Sequence, residues 1–491
     1  MNQRIRRFAV VLIVLYVILF AQLNFIQVGK KSTLEADTRN TRQTVRDFND
    51  PRGDIRTSDG VVMATSVQNE PGSEFDWQRT YPEGDLYSAI TGYFTFGYGA
   101  TQIEKVQNDV LAGRTIEQQI KGFRSLFNGE NTTGTVETTI DADIQQAAKD
   151  ALGNREGSVV VIEPATGAVK AMWSWPSYDT NLVAIQDNEL AGDVLNYLND
   201  IPGKPLLANA YQERYMPGST FKVITTAAAL DDGLITKESI WAEESEFLPP
   251  QTTDPIQNYG NKICGGDLPE VFRRSCNTPF ARTAIELGPE KMVAAAERFG
   301  IGNQIPFDLP RTTSSQFGDV DYFTQNLPLL GIGGFGQGNT QMVPLHMAMV
   351  AASIAHGGVM MRPYVIGTTY DHEGGVLQRT VPNVWKTPMT PSTASLLTEL
   401  MVGVVNEGTA SCCMNLANGV QAAAKTGTAQ LNATGEPERS HAWIIAFAPA
   451  EAPKYAIVVM LKGTTAEISE GTGGSLAGPV AKKVLDIALN Q

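Results

Sequence analysis

Pro217-Gly218-Ser219-Thr220-Phe221-Lys222, followed by the apolar run Val223–Leu230, is the stretch on which the reading of this chain turns. A Pro-Gly pair ahead of a continuous apolar run marks a helix start. Ser219 is therefore expected at the beginning of a helix covering Phe221–Leu230. A spacing of three puts Ser219 and Lys222 on one helical face, about one turn apart. A serine hydroxyl is a weak nucleophile unless a base stands beside it. A lysine serves as that base only when burial or nearby positive charge lowers its pKa, and the positive end of a helix also disfavours the ammonium. Taken alone the pattern is weak, since Ser-x-x-Lys arises by chance about once or twice in a chain of this length.

Two further motifs give it weight. Ser275-Cys276-Asn277 supplies a second hydroxyl, able to pass a proton to a leaving amine, and a side-chain amide able to donate to and accept from a peptide group. Lys425-Thr426-Gly427-Thr428-Ala429 is read as a strand offering a cation and hydroxyls to a carboxylate, with a glycine that lets a substrate strand lie close. Each of the three motifs occurs once, in this order, 56 and 150 residues apart. Ser219 is not in a Gly-x-Ser-x-Gly elbow. The four histidines, His346, His356, His372 and His441, show no metal-ligand spacing and are assigned to surface or packing roles.

Outward from the motifs, Asp141–Leu152 carries an apolar stripe at helical spacing, and Ser158–Ile162 and Ala168–Trp173 flank a Pro/Gly turn as a hairpin. Ala442–Ala448 and Tyr455–Leu461 read as strands, and Leu345–Ala355 and Val480–Leu489 as helices. Strands at both ends with helices between them predict one α+β unit built on an antiparallel sheet. Its start is placed at residue 134, after the turn-rich Gly129–Gly134. Residues 29–133 are polar and Gly-punctuated, with two short strands around Asp59-Gly60 and a helix over Ile103–Gly113, and form a smaller N-terminal domain.

At the N-terminus Arg4, Arg6 and Arg7 precede fourteen consecutive apolar residues, Phe8–Ala21, and the pattern runs on to Val28. The 21 residues 8–28 are long enough for a hydrocarbon core of roughly 30 Å at about 1.5 Å per residue. They are read as an uncleaved transmembrane anchor with a cytoplasmic stub, in preference to a cleaved signal peptide, because a small-x-small cleavage pattern is lacking around Leu19-Phe20-Ala21. The rest of the chain then lies outside the cytoplasmic membrane. A net charge of −14, with no Lys/Arg-dense run beyond the first few residues, argues against nucleic acid as a partner. Four cysteines exclude a disulfide-dense scaffold. Cys264 and Cys276, twelve apart, are the favoured bridge, with four thiols as the alternative. Adjacent Cys412 and Cys413 are expected not to pair, because a ring that small conflicts with ordinary disulfide geometry.

The three motifs together are the set found in penicillin-binding proteins and class A β-lactamases. With Pro51-Arg52-Gly53-Asp54-Ile55, Tyr81-Pro82-Glu83-Gly84, Phe96-Gly97-Tyr98-Gly99-Ala100, Thr139-Ile140-Asp141, Pro176-Ser177-Tyr178-Asp179 and Gly336-Gln337-Gly338, the chain resembles the class B penicillin-binding proteins over nearly its whole length, and most the actinobacterial penicillin-binding protein A group. The resemblance implies a serine β-lactamase-like transpeptidase fold with a five-stranded antiparallel sheet, no cofactor and no metal. It implies a peptidoglycan D,D-transpeptidase that acts on stem peptides and is acylated by β-lactam antibiotics. Ser219 would be the nucleophile, Lys222 its base and Ser275 a proton relay. Asn277, Lys425, Thr426, Gly427 and Thr428 would bind substrate, and the backbone N–H groups of Ser219 and Thr428 would form the oxyanion hole. Other cell-wall synthesis proteins, a glycosyltransferase among them, are the implied partners. The 105 residues 29–133 are too few for the glycosyltransferase domain of bifunctional relatives, and the Glu-Asp-x-x-Phe signature is absent. The competing readings are a hydrolase with the same motifs (a D,D-carboxypeptidase or β-lactamase) and a non-catalytic scaffold of the division or elongation machinery.

Overall fold

The computed structural model describes residues 2–26, 48–122, 132–431 and 439–490. Contacts divide the chain into two units, residues 1–51 with 67–78, and residues 52–66 with 79–491. In the first, helix α1 (Asn2–Asn24) contains a 22-residue stretch, Gln3–Asn24, with an 18-residue window of mean hydropathy 2.1 and no buried residue, long and apolar enough to cross a membrane. Residues 27 and 28 of the expected span, and residues 129–131 of the Gly129–Gly134 boundary, lie outside the described residues. The same unit holds the rings of Phe48 and Phe75 5.3 Å apart.

The second unit is built on a five-stranded antiparallel sheet of β1 (Gly157–Ile162), β2 (Val169–Trp175), β3 (Ala423–Gln430), β4 (Ser440–Ala448) and β5 (Tyr455–Leu461), in the order β3-β4-β5-β1-β2. Every residue of β1 and β4 is buried. That is why these strands read as unbroken apolar runs without alternation: both faces of the sheet are covered. Helices α2 (Ala142–Leu152) and α7 (Gly478–Leu489) pack on each other and on the sheet, and α5 (Pro344–Ala355), with eleven of its twelve residues buried, contacts β1 and β5. Helices α3 (Lys222–Asp231), α4 (Thr278–Arg298) and α6 (Pro391–Glu407) complete the helical part, α3 packing on both α4 and α6. The α+β class and the antiparallel sheet are as the sequence implies.

A second sheet brings distant segments together. Ile55–Arg56 pairs antiparallel with Val62–Ala64 and parallel with Val136–Glu137, and Thr135–Thr138 pairs in turn with Ile366–Tyr370. Beside it lies a buried ion cluster. Both Glu104 carboxylate oxygens accept from guanidinium Nε groups, Oε2 from Arg52 and Oε1 from Arg79, each at 2.6 Å, and Tyr81 donates to Oε1 at 3.2 Å. Glu104, Arg52 and Arg79 are at most 4% exposed. Burial raises the Glu104 carboxyl, but the Arg79 and Arg52 charges together outweigh it and hold the group below the usual carboxylate range.

This cluster also corrects the expected helix over Ile103–Gly113. The structure has two short helices, Gln102–Val106 and Asn108–Leu111, with Gln107 outside helical geometry at φ −110° and ψ 21°. Arg52 Nη2 donates to the carbonyl of Glu104 at 2.7 Å and Nη1 to Asn108 Oδ1 at 2.9 Å. A continuous helix would need that same carbonyl for the Asn108 amide.

Glu104→Gln keeps the shape and removes the carboxylate that the two buried guanidinium groups share. We predict a loss of about 3 kcal/mol or more in chemical denaturation. The native carboxyl is depressed, so its contribution is present above the unfolded-state pKa and fades as pH falls through the folded value. The wild type should therefore lose more stability on acidification than the variant. Equal acid sensitivity would show that Glu104 is not the charged centre of the cluster.

Candidate active site

Ser219 lies on a single 3₁₀ turn, Gly218–Phe221, that runs directly into α3 at Lys222. Thr220 Oγ1 closes the turn on the Pro217 carbonyl at 2.8 Å. Gly218 has φ +55°, and a Cβ there would meet the Thr428 carbonyl oxygen at 2.5 Å. Gly427 is equally constrained: its Cβ would meet the Pro217 carbonyl at 2.6 Å. What the glycine of the third motif admits is thus the turn that carries Ser219, in place of the expected substrate strand.

Period-two alternation divides β3 between two jobs. Thr426, Thr428 and Gln430 line a cleft of about 520 Å³ together with Ser219, Ser275 and Asn277. Lys425, one residue out of phase, is fully buried behind it. Its Nζ donates to Ser275 Oγ at 2.8 Å and to the Thr426 carbonyl at 3.0 Å. Lys222, also fully buried, donates to the Ser275 carbonyl at 2.8 Å and to Asn277 Oδ1 at 2.9 Å, and lies 3.4 Å from Ser275 Oγ. Aromatic rings enclose both ammonium groups, Phe280 and Phe335 around Lys222 and Phe272 beside Lys425. Burial pushes Lys425 down to about 7. Burial and then the Lys425 charge push Lys222 well below its ordinary value.

Ser275 bridges the two lysines from a left-handed backbone, φ +60°, which is uncommon and costly outside glycine. The loop is fixed on both sides. Ser275 N donates to the Phe272 carbonyl at 3.2 Å, and Cys276 is bonded to Cys264, with Cα atoms 5.7 Å apart. Cys412 and Cys413 are also joined, contrary to the expectation above. They sit in a tight turn where the amides of both Cys413 and Met414 donate to the Ala410 carbonyl.

Several cleft residues carried no signal in the sequence. Thr409 Oγ1 lies 2.5 Å from Thr426 Oγ1, and the Gly473 amide donates to Thr428 Oγ1 at 3.4 Å. Asn258, 4% exposed, does most. Its Oδ1 accepts from the amides of Asn277 at 2.7 Å and Thr278 at 3.1 Å, and its Nδ2 donates to the Glu244 carbonyl at 2.8 Å and to Thr278 Oγ1 at 3.2 Å. It caps α4 from outside that helix's own sequence, so no local pattern marks it. Among the described residues no cluster of His, Cys, Asp and Glu is arranged to hold a metal ion. Buried His346 and His441 are hydrogen-bonded, to Ser315 and the Phe299 carbonyl and to the Gly463 amide respectively.

Asn258→Ala strips the acceptor from two buried amides at the head of α4. We predict a loss of about 2–3 kcal/mol in urea unfolding. Asn258→Asp keeps the acceptor but turns a carboxylate oxygen on the Glu244 carbonyl, and should lose a similar amount. Wild-type stability in both would remove Asn258 from the support of this wall.

Residues 157–486 match the family described as "Penicillin binding protein transpeptidase domain", and residues 52–136 match "Penicillin binding protein A dimerisation domain". The peptidoglycan D,D-transpeptidase PbpA of Mycolicibacterium smegmatis is 36% identical over 506 residues, covering 100% of both chains. A ceftriaxone acyl-enzyme of penicillin-binding protein A from M. tuberculosis superposes with a TM-score of 0.84 at 34% identity, over 91% of this chain and 100% of that one. The penicillin G acyl-enzyme of that protein gives 0.82 at 35% identity, over 90% and 100%. With two buried lysines meeting at the serine of the second motif, beside a serine on a 3₁₀ turn, and with these likenesses along its full length, the chain belongs to the class B penicillin-binding proteins.

Proposed function

We propose that this protein is a peptidoglycan D,D-transpeptidase that cross-links stem peptides through an acyl-enzyme on Ser219. The observation that carries the reading is the placing of Ser275 Oγ between the Lys222 and Lys425 ammonium nitrogens, at 3.4 and 2.8 Å, in the cleft that Ser219 lines. In the donor stem peptide Ser219 Oγ attacks the carbonyl of the penultimate D-Ala, and neutral Lys222 takes its proton. The backbone N–H groups of Ser219 and Thr428 receive the oxyanion. As the C–N bond breaks, Ser275 gives a proton to the departing D-Ala amine and takes in its place the proton that Lys222 accepted from Ser219, which leaves Lys222 neutral again. Asn277 holds the donor's amide. Thr426 and Thr428 hold its terminal carboxylate in the field of Lys425, with Gly427 keeping the strand close to the nucleophile's turn. The amine of a second stem peptide then attacks the ester and releases Ser219. β-Lactams enter the same path and stop at the ester.

Helix α1 would anchor the protein in the cytoplasmic membrane by a single pass, with the catalytic domain outside. Residues 29–133 would form a non-catalytic interaction domain and residues 134–491 the transpeptidase domain, a division supported by the two family matches at 52–136 and 157–486. A glycosyltransferase and other wall-synthesis proteins would be its partners.

Intact-mass measurement after incubation with penicillin G tests the reading. A persistent adduct that maps to Ser219 and is lost in Ser219→Ala is expected. Rapid turnover of the penicillin would assign a β-lactamase instead, and an adduct surviving in Ser219→Ala would remove the nucleophile. Lys222→Arg cannot lose its proton and should slow acylation by about 10²-fold or more. The wild-type rate should rise with pH as Lys222, well below an ordinary lysine, deprotonates, and that limb should vanish in Lys222→Arg.

A further inference from the structure

The chain is acidic overall, at −14, yet the cleft is rimmed by Lys262, Arg273 and Arg274 against a single carboxylate, Glu407. These cations are not equivalent. Arg273 is neutralised by ion pairs to Glu270 and, at 3.5 Å, to Glu407. Arg274 donates to the Ile263 carbonyl at 2.9 Å and shares Glu270 at 3.4 Å, which leaves most of its five donors uncommitted. Lys262 is exposed and, among the described residues, has neither an ion pair nor a side-chain hydrogen bond. The Arg274 contact to Ile263 sets its guanidinium beside the residue that follows Lys262. The Cys264–Cys276 bond ties the Lys262 segment to the residue after Ser275. Two under-compensated cations are therefore held at fixed register against the Ser275–Asn277 wall.

We infer that Lys262 and Arg274 form a subsite for a second carboxylate of the donor, one carried on the amino side of the reacting carbonyl. The inference rests on the acyl-transfer reading above. In that reading the terminal carboxylate goes to Thr426 and Thr428, across the cleft, and Asn277 takes the donor's amide. The Ser275–Asn277 wall is then where the amino side of the donor passes, and its cations meet whatever charge that side carries. A paired carboxylate in a partly shielded cleft gains from both the Lys262 charge and the planar Arg274 fork. An uncharged donor gains nothing there, so the two cations act as a selector for donors that bear a free acid.

The test compares acylation rates of the full-length protein by benzylpenicillin and by carboxybenzylpenicillin, which differ by one side-chain carboxylate. In Lys262→Gln the ratio of the two rate constants, carboxybenzyl over benzyl, should fall about fivefold, and in Lys262→Glu further. Arg274→Gln should lower the same ratio. Raising salt to 0.5 M should shrink the wild-type preference, because an exposed pair is screened. A ratio unchanged in all three variants overturns the subsite. A wild type that neither penicillin acylates at Ser219 instead overturns the acyl-transfer reading on which it stands.

Discussion

Two lysine ammonium groups, both fully buried, converge on one serine hydroxyl. Such an arrangement is costly, since like charges a few ångströms apart in a poorly solvated site repel strongly. Its least unfavourable state has at most one of the pair charged. The surroundings decide which. Burial and then the Lys425 charge push Lys222 well below its ordinary value, and burial pushes Lys425 down to about 7. Burial and the neighbouring charge thus give the two lysines different electrostatic surroundings, a difference that follows from placement and not from residue type.

Holding that pair requires rigid walls, and much of the molecule can be read as their support. Lys222 is fixed by α3, Lys425 by an eight-residue strand paired along its whole length to β4, and Ser275 by a loop in left-handed geometry. A strained loop residue persists only when its surroundings over-determine it. Here the Cys264–Cys276 bond, the backbone contact to Phe272 and the Asn258 amide grip the loop from three directions.

The sequence revealed the parts whose signal is local. Ser219 and Lys222 are three apart at one helix start, several strands of the five-stranded sheet contain runs of buried apolar residues, and the apolar stretch of α1 needs only a count. What it hid is carried by pairs far apart in the chain. Asn258 acts on Asn277 and Thr278 from nineteen and twenty residues away. Ile366–Tyr370 crosses to a sheet begun by Ile55. The interrupted helix at Gln107 follows from a guanidinium fifty-two residues earlier that takes the Glu104 carbonyl. The bond between adjacent Cys412 and Cys413 has no counterpart in the sequence pattern, which favours unpaired neighbours.

The third motif shows how far a short string can be read once its secondary structure is known. On a strand, Lys425 and Gly427 must face one way and Thr426 and Thr428 the other. The lysine face looks inward, toward Ser275 and the turn that carries Ser219, and there a glycine is obligatory because backbone already fills the space of a side chain. The threonine face looks into the cleft, with Gln430 continuing it by one more step. Beta-branched, hydroxyl-bearing residues suit that position twice over, since they favour the strand and offer hydrogen bonds to an anion. A substitution on the inner face would therefore disturb the turn that carries Ser219, and one on the outer face would change the cleft lining while leaving the lysine pair in place. The motif is two interleaved patterns, and its chemistry depends on keeping them in phase.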